Sequence, residues 1–134
     1  MRKEFLVGVA IFSALAIGGT AVAHEIEHDS TVTVSYAPQA DEFRGKVTSP
    51  RERCVPGRTV RILRVEDDGS KTLVGKGTTG ENGFYAIGYD VPERGKYRAR
   101  VTREVLRDTK RHTHVCAPDS SPTITVTVAG PPAS

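Results

Sequence analysis

Thr78-Thr79-Gly80-Glu81-Asn82-Gly83-Phe84-Tyr85-Ala86-Ile87 is the stretch on which the reading of the fold turns. Gly-Glu-Asn-Gly is turn chemistry, because Asn and Gly accept the positive φ that a tight turn demands. The residues on either side read as strands, so the stretch has the form of a hairpin. Beyond the turn, Tyr85, Ile87 and Tyr89 alternate with Phe84, Ala86 and Gly88. The tyrosine face carries more apolar bulk and is predicted to point inward.

The same grammar extends in both directions. Upstream, Arg58 to Val65 is rich in β-branched residues, and Lys71 to Thr79 returns after Glu66-Asp67-Asp68-Gly69-Ser70, whose Asp-Gly pair is a hairpin signature. Gly75 and Gly77 inside the returning strand predict a bulge or a close backbone approach. Earlier still, Thr31 to Tyr36 alternates with Val32, Val34 and Tyr36 on one face, and Phe43 to Thr48 follows with Phe43, Gly45 and Val47 together. Downstream, Lys96 to Thr102 places Tyr97, Ala99 and Val101 inward and Lys96, Arg98 and Arg100 outward. His112 to Cys116 and Thr123 to Val128 complete the set, the latter with Ile124, Val126 and Val128 inward, while Glu104 to Lys110 reads either as strand or as hairpin tip. About eight short strands with frequent turn signals predict an all-β sandwich of two packed antiparallel sheets.

The first residues have a different character. Met1-Arg2-Lys3-Glu4 precedes an uncharged apolar run from Phe5 to Gly19, and Ala21-Val22-Ala23 offers a small-x-small cleavage signal. This pattern predicts a signal peptide over 1–23, an exported protein and no membrane association once the peptide is removed. The expected mature organisation is a flexible N-terminus at 24–30, one sandwich domain at 31–128 and a disordered tail at 129–134. Loss of residues 1–23 removes two basic residues and one acidic one, so the net charge changes from +3 to +2. That balance, with basic residues spread from Arg44 to Arg111, does not point to nucleic acid. The only two cysteines, Cys54 and Cys116, read as a disulfide in an exported chain, the alternatives being a metal pair or two free thiols.

Several motifs share an order with a known group. Phe43-Arg44-Gly45-Lys46-Val47, Cys54, Gly57-Arg58-Thr59-Val60, Gly77-Thr78-Thr79, Asn82-Gly83-x-Tyr85-x-Ile87, Gly95-x-Tyr97-x-Ala99 and Cys116 follow one another as in carboxypeptidase-regulatory-like and transthyretin-like domains. The chain resembles this prealbumin-type family from Phe43 to Val128. The resemblance implies a seven-stranded Greek-key sandwich serving as an adhesive, spacer or accessory module. Where many relatives place Asp before the turn, this chain has Gly80. The C-terminal Tyr-Arg-Gly-Ser of the related hydroxyisourate hydrolases is missing, since Tyr97-Arg98 is mid-strand and followed by Ala99.

Candidate chemistry is sparse. Asp119-Ser120-Ser121 lacks a nucleophile elbow, and Asp67-Asp68-Gly69-Ser70 lacks the spaced acids of a calcium loop. No enzyme activity is expected. Outward Arg61, Arg98 and Arg100 form a candidate basic stripe for an anionic polymer or a partner protein's carboxylates. Cleavage after Ala23 would give His24 a free amine beside its imidazole, a copper chelate to which His28, His112 or His114 could add a nitrogen. The expected role is therefore a non-catalytic structural, adhesive or protein-interaction module without a cofactor, with copper binding through His24 as the alternative.

Overall fold

In the computed structural model, residues 24–89, 94–107 and 112–127 are described, and they form twelve strands, one 3₁₀ turn and no α-helix. The predicted signal peptide, residue 128 and the predicted tail lie outside the described residues. In chain order the elements are β1 (His24–His28), β2 (Thr31–Val32), β3 (Ser35–Ala37), β4 (Glu42–Thr48), the 3₁₀ turn (Glu52–Cys54), β5 (Thr59–Val65), β6 (Lys71–Thr78), β7 (Phe84–Gly88), β8 (Gly95–Val101), β9 (Glu104–Arg107), β10 (His112–Cys116), β11 (Asp119–Ser120) and β12 (Ile124–Val126).

Two antiparallel sheets form the sandwich. In one, β4 is flanked by β7 and by the broken edge β2/β3; in the other the order is β6-β5-β8, with β11 and β12 both on the outer side of β8. Taking each broken edge as one strand position gives three positions against four. The chain passes from β4 to β5-β6, returns to β7 beside β4, then crosses to β8 beside β5, which are Greek-key connections. Thr31 to Tyr36 was expected as one strand and is interrupted at Thr33, whose hydroxyl accepts the Lys46 N–H at 3.0 Å in place of a backbone group.

The period-2 pattern sets what lies between the sheets. Val32, Phe43, Val47, Val60, Ile62, Tyr85, Ile87, Tyr97, Ala99, Val101 and Val126 form the buried core. Each large apolar side chain taken out of water contributes about 1.5–3 kcal/mol. Tyr85 and Ile87 are inside and Phe84 is 60% exposed, as the alternation requires. At one end, Phe43 packs between Tyr36 and Tyr97, with ring centroids 5.0 and 5.1 Å away.

The Gly80–Gly83 turn departs from its expected form. β6 pairs with β5 and β7 pairs with β4, so the turn is a corner between sheets and not a hairpin. It is closed by Gly83 N–H to Gly80 C=O and Gly80 N–H to Phe84 C=O, at 3.0 and 2.8 Å, and docked by Val47 N–H donating to Gly83 C=O at 2.8 Å. Gly83 has φ +86°, and a Cβ there would collide with the Val47 carbonyl oxygen. Gly75 and Gly77 have the role predicted for them: a Cβ at either would lie within 3 Å of Ile87, reaching over from the opposite sheet. Beside them Ile62 faces Gly75 and Leu63 faces Leu73, which leaves Val74 as the bulged residue.

A third sheet corrects two expectations. Residues 24–28, expected as a flexible arm, are strand β1, and β10 belongs to this sheet and not to the sandwich. The order is β1-β10-β9, with β1 parallel to β10, so the molecule is not wholly antiparallel. β1 is polar but β10 offers it a full register of backbone partners, and Ala117 N–H continues the ladder to His28 C=O at 2.8 Å. Glu104–Arg107 is strand, and 108–110 lie outside the described residues.

Candidate binding surfaces

The outward side chains of β6, β5 and β8 bring the predicted arginines together. Arg61 stands in register between Lys76 on β6 and Arg100 on β8. One row along, Leu63 stands between Leu73 and Arg98; a further row places Val65 between Lys71 and Lys96. Adjacent strands lie about 4.8 Å apart, so Lys76, Arg61 and Arg100 span roughly 10 Å. No outward position on these three strands carries a carboxylate. Arg98 and Arg100 donate to the hydroxyls of Thr123 and Ser120, at 3.2 and 3.4 Å. Like charges directly opposite in a sheet repel, and here three stand in one row, next to the row that holds the half-exposed Leu73. Basic residues gathered on one face give a field that the small net charge conceals.

The four histidines form the second cluster. In the parallel β1-β10 pair, His24 is opposite His112, Ile26 opposite His114 and His28 opposite Cys116. Alternate residues share a face, so all four histidines lie on one side of the ribbon. His28 Nε2 and His114 Nδ1 share a hydrogen bond of 2.8 Å, with the ring planes 17° from parallel and the centroids 5.0 Å apart. Desolvation, then Arg51, His28, His112 and Arg53, lower the pKa of His114 below that of a free imidazole. Among the described residues no three His, Cys, Asp or Glu side chains converge as a ready ligand set.

Cys54 and Cys116 are joined, with Cα atoms 5.4 Å apart, and tie the 3₁₀ turn to the end of β10. Beside this bridge is a residue that the strand pattern did not single out. Arg58 is completely buried, its Nη1 donating to Ser30 Oγ and Cys54 C=O at 2.9 and 2.8 Å, its Nη2 to Thr102 and Ala117 C=O at 2.9 and 3.0 Å. Its Nε lies 3.6 Å from a Glu104 carboxylate oxygen. Burial lowers the pKa of the guanidinium and Glu104 opposes that shift. The signal was an arginine directly after a Pro-Gly turn and before an apolar strand, next to Cys54. Both terminal nitrogens of Arg58 are engaged, which makes it a structural hub, while its buried Nε makes no hydrogen bond among the described residues.

The remaining polar motifs are used locally. Asp119 accepts the Val32 N–H at 2.9 Å, and the buried Ser121 hydroxyl accepts the Ala99 N–H at 2.9 Å. Asp68 accepts both the N–H and the hydroxyl of Ser70, and these bonds lower its pKa. On the outer face of the β3-β4-β7 sheet, an open hollow of about 620 Å³ contains Phe84, with the Lys46 ammonium 4.8 Å from the ring centroid.

No protein-family model matches the chain, and no curated protein matches it. Among the described residues, no helix is long and apolar enough to cross a membrane.

Proposed function

We propose that the protein is an exported, non-catalytic binding module of the carboxypeptidase-regulatory-like or transthyretin-like type, which attaches to a polyanionic cell-surface polymer through the outer face of β6-β5-β8. The observation that carries this reading is the register row Lys76-Arg61-Arg100 with no carboxylate beside it. A regularly charged polymer relieves the repulsion along such a row, and Leu63 and Leu73 supply contact area between the charges. The disulfide and the apolar run at Phe5 to Gly19 support export. The family assignment is supported by the seven strand positions and by the residues that make up the core.

Binding of the purified protein to an immobilised polyuronate tests this reading. Affinity should fall at least tenfold between about 50 and 500 mM salt, because exposed charges are screened over a Debye length. The Arg61→Ala/Arg100→Ala variant should bind at least tenfold more weakly than the parent at low salt. No binding at low salt, or equal binding by the variant, would overturn the proposal. A second reading, copper handling with His24 as a ligand, is favoured by the placing of His24 opposite His112. It requires residue 24 to be the mature N-terminus, which sequencing of the exported protein would determine.

A further inference from the structure

Each outward side chain of β8 has a hydroxyl beside it. Arg100 is in register with Ser120 on β11, and Lys96 with Thr125 on β12. Between them Arg98 donates to the Thr123 hydroxyl at 3.2 Å, as Arg100 does to that of Ser120 at 3.4 Å. On the other flank, β5 sets Leu63 opposite Arg98 and Val65 opposite Lys96. The result is a track with cations in the middle, hydroxyls along one side and apolar side chains along the other. We infer that this track seats a linear phosphodiester polymer of a three-carbon polyol, lying along β8 with one phosphate at each cation–hydroxyl pair. The inference rests on the reading of this face as the binding surface and names the class of polymer that the face takes.

Spacing is the first argument. Alternate residues of a strand share a face, so Lys96, Arg98 and Arg100 recur about 6.8 Å apart at the backbone. Two residues of extended chain comprise six backbone bonds. A three-carbon polyol phosphate also has six backbone bonds per repeat: two P–O, two C–O and two C–C. Extended, it advances by about the same 6.8 Å for each charge. A uronate unit spends part of its path inside a ring and brings its carboxylates round at a shorter interval. Donor chemistry is the second argument. A hydroxyl that accepts from arginine keeps its own hydrogen to donate. A phosphodiester presents two unbridged oxygens, one for the cation and one for that hydroxyl, and charge-assisted bonds are the strong ones. The third is the apolar flank, where the carbon linkers between phosphates pass over Leu63 and Val65 without stranding a polar atom. Lys96, Arg100, Thr123 and Thr125 are exposed, so the track is open along its length. The row Lys76-Arg61-Arg100 meets it at Arg100 and adds charge at that end.

The test compares synthetic poly(glycerol phosphate) with a polyuronate and a single-stranded oligonucleotide, all matched in number of charges and titrated onto the purified protein at one ionic strength. Poly(glycerol phosphate) should bind at least about tenfold more tightly than either. Lys96→Ala/Arg98→Ala should lower that affinity by at least about tenfold. Thr123→Val/Thr125→Val keeps the charge, and both threonines are exposed, so the change spares the core. This variant should bind several-fold more weakly with an unchanged salt dependence, an effect that a diffuse basic face would not show. Equal affinity for poly(glycerol phosphate) and polyuronate, or parent-like affinity in the threonine variant, would overturn the track and leave the basic face standing. The oligonucleotide backbone shares the six-bond repeat but carries a base on each unit, so tighter binding to it would overturn the choice of polymer. Binding to none of the three would overturn the reading of the face itself, and the track with it.

Discussion

In the sandwich, Phe43, Ile62, Tyr97 and Val101 have no exposed surface, and their neighbours on both sheets are apolar. Among the described residues of the β1-β10-β9 ribbon only Val115 and Cys116 are buried, and no residue of β1 is. One region is therefore held by the removal of apolar surface from water, which needs no particular partner. The other is held by specific links: the disulfide, the five-way contacts of Arg58, the backbone ladder and the His28–His114 bond. The difference teaches where substitutions should act globally and where they should act on one element. A core cavity weakens every contact around it, while a lost link frees the segment that it tethers.

Phe43→Ala should break the sandwich side of the comparison most severely. Removing a fully buried aromatic ring that packs on Tyr36, Tyr89 and Tyr97 should cost about 3–5 kcal/mol. The urea midpoint should fall accordingly, with loss of protection across both sheets and the ribbon alike. Replacing Cys54 and Cys116 by Ser should follow closely, since the bridge closes 62 residues of chain and its loss costs roughly 4 kcal/mol in the loop-entropy model. Here the loss of amide protection should be greatest in β9 and β10. Equal loss in β4 and β5 would mean that ribbon and sandwich unfold as one unit.

Arg58→Met should come next. The change strands the Cys54, Thr102 and Ala117 carbonyls without a donor, and saves the cost of burying a guanidinium, so the net effect should be about 2–3 kcal/mol. Faster amide exchange where β8 leads into β9 and β10 leads into β11, with β4 and β7 unchanged, is the expected signature. A variant as stable as the parent would show that these carbonyls find water at no cost.

The order of these effects follows what was legible beforehand. Alternation reported the sandwich because each inward residue is decided by its own polarity: Tyr85, Ile87, Tyr97, Ala99 and Val101 are inside as expected. The Asp-Gly turn reported a hairpin because Gly69 provides the positive φ locally. Gly80–Gly83 satisfies the same local demand, yet which strand pairs with which is decided by contacts far along the chain, so a corner read as a hairpin. β1 was illegible for a related reason. Its residues carry no apolar pattern, and its place comes from the unpaired edge of β10. The basic stripe was legible as three outward arginines, but its membership was not: register puts Lys76 and Arg100 on either side of Arg61 and Arg98 one row along. The histidines were visible one by one; only the parallel pairing puts all four on one face.

The smallest expected effect concerns protons at the ribbon. His114 has a pKa below its ordinary 6.5, with desolvation the main cause and Arg51, His28, His112 and Arg53 adding to it. The unfolded chain therefore takes up a proton more readily than the folded one as pH falls below about 6.5. The stability that the neutral imidazole contributes is fully present above that pH and is lost as pH falls towards the depressed folded value. Across the ribbon, Glu104 faces Arg58, and Glu25 is 3.2 Å from Arg103. Acidification from pH 7.5 to 5 should therefore loosen β1 selectively, seen as faster exchange of its amides relative to β5 and β8 after correction for intrinsic rates. His114→Asn, which keeps a hydrogen-bonding side chain but does not titrate, should remove that difference. If parent and variant respond alike, the charge on the histidine pair has no part in holding β1, and the ribbon is secured by its backbone ladder and the disulfide alone.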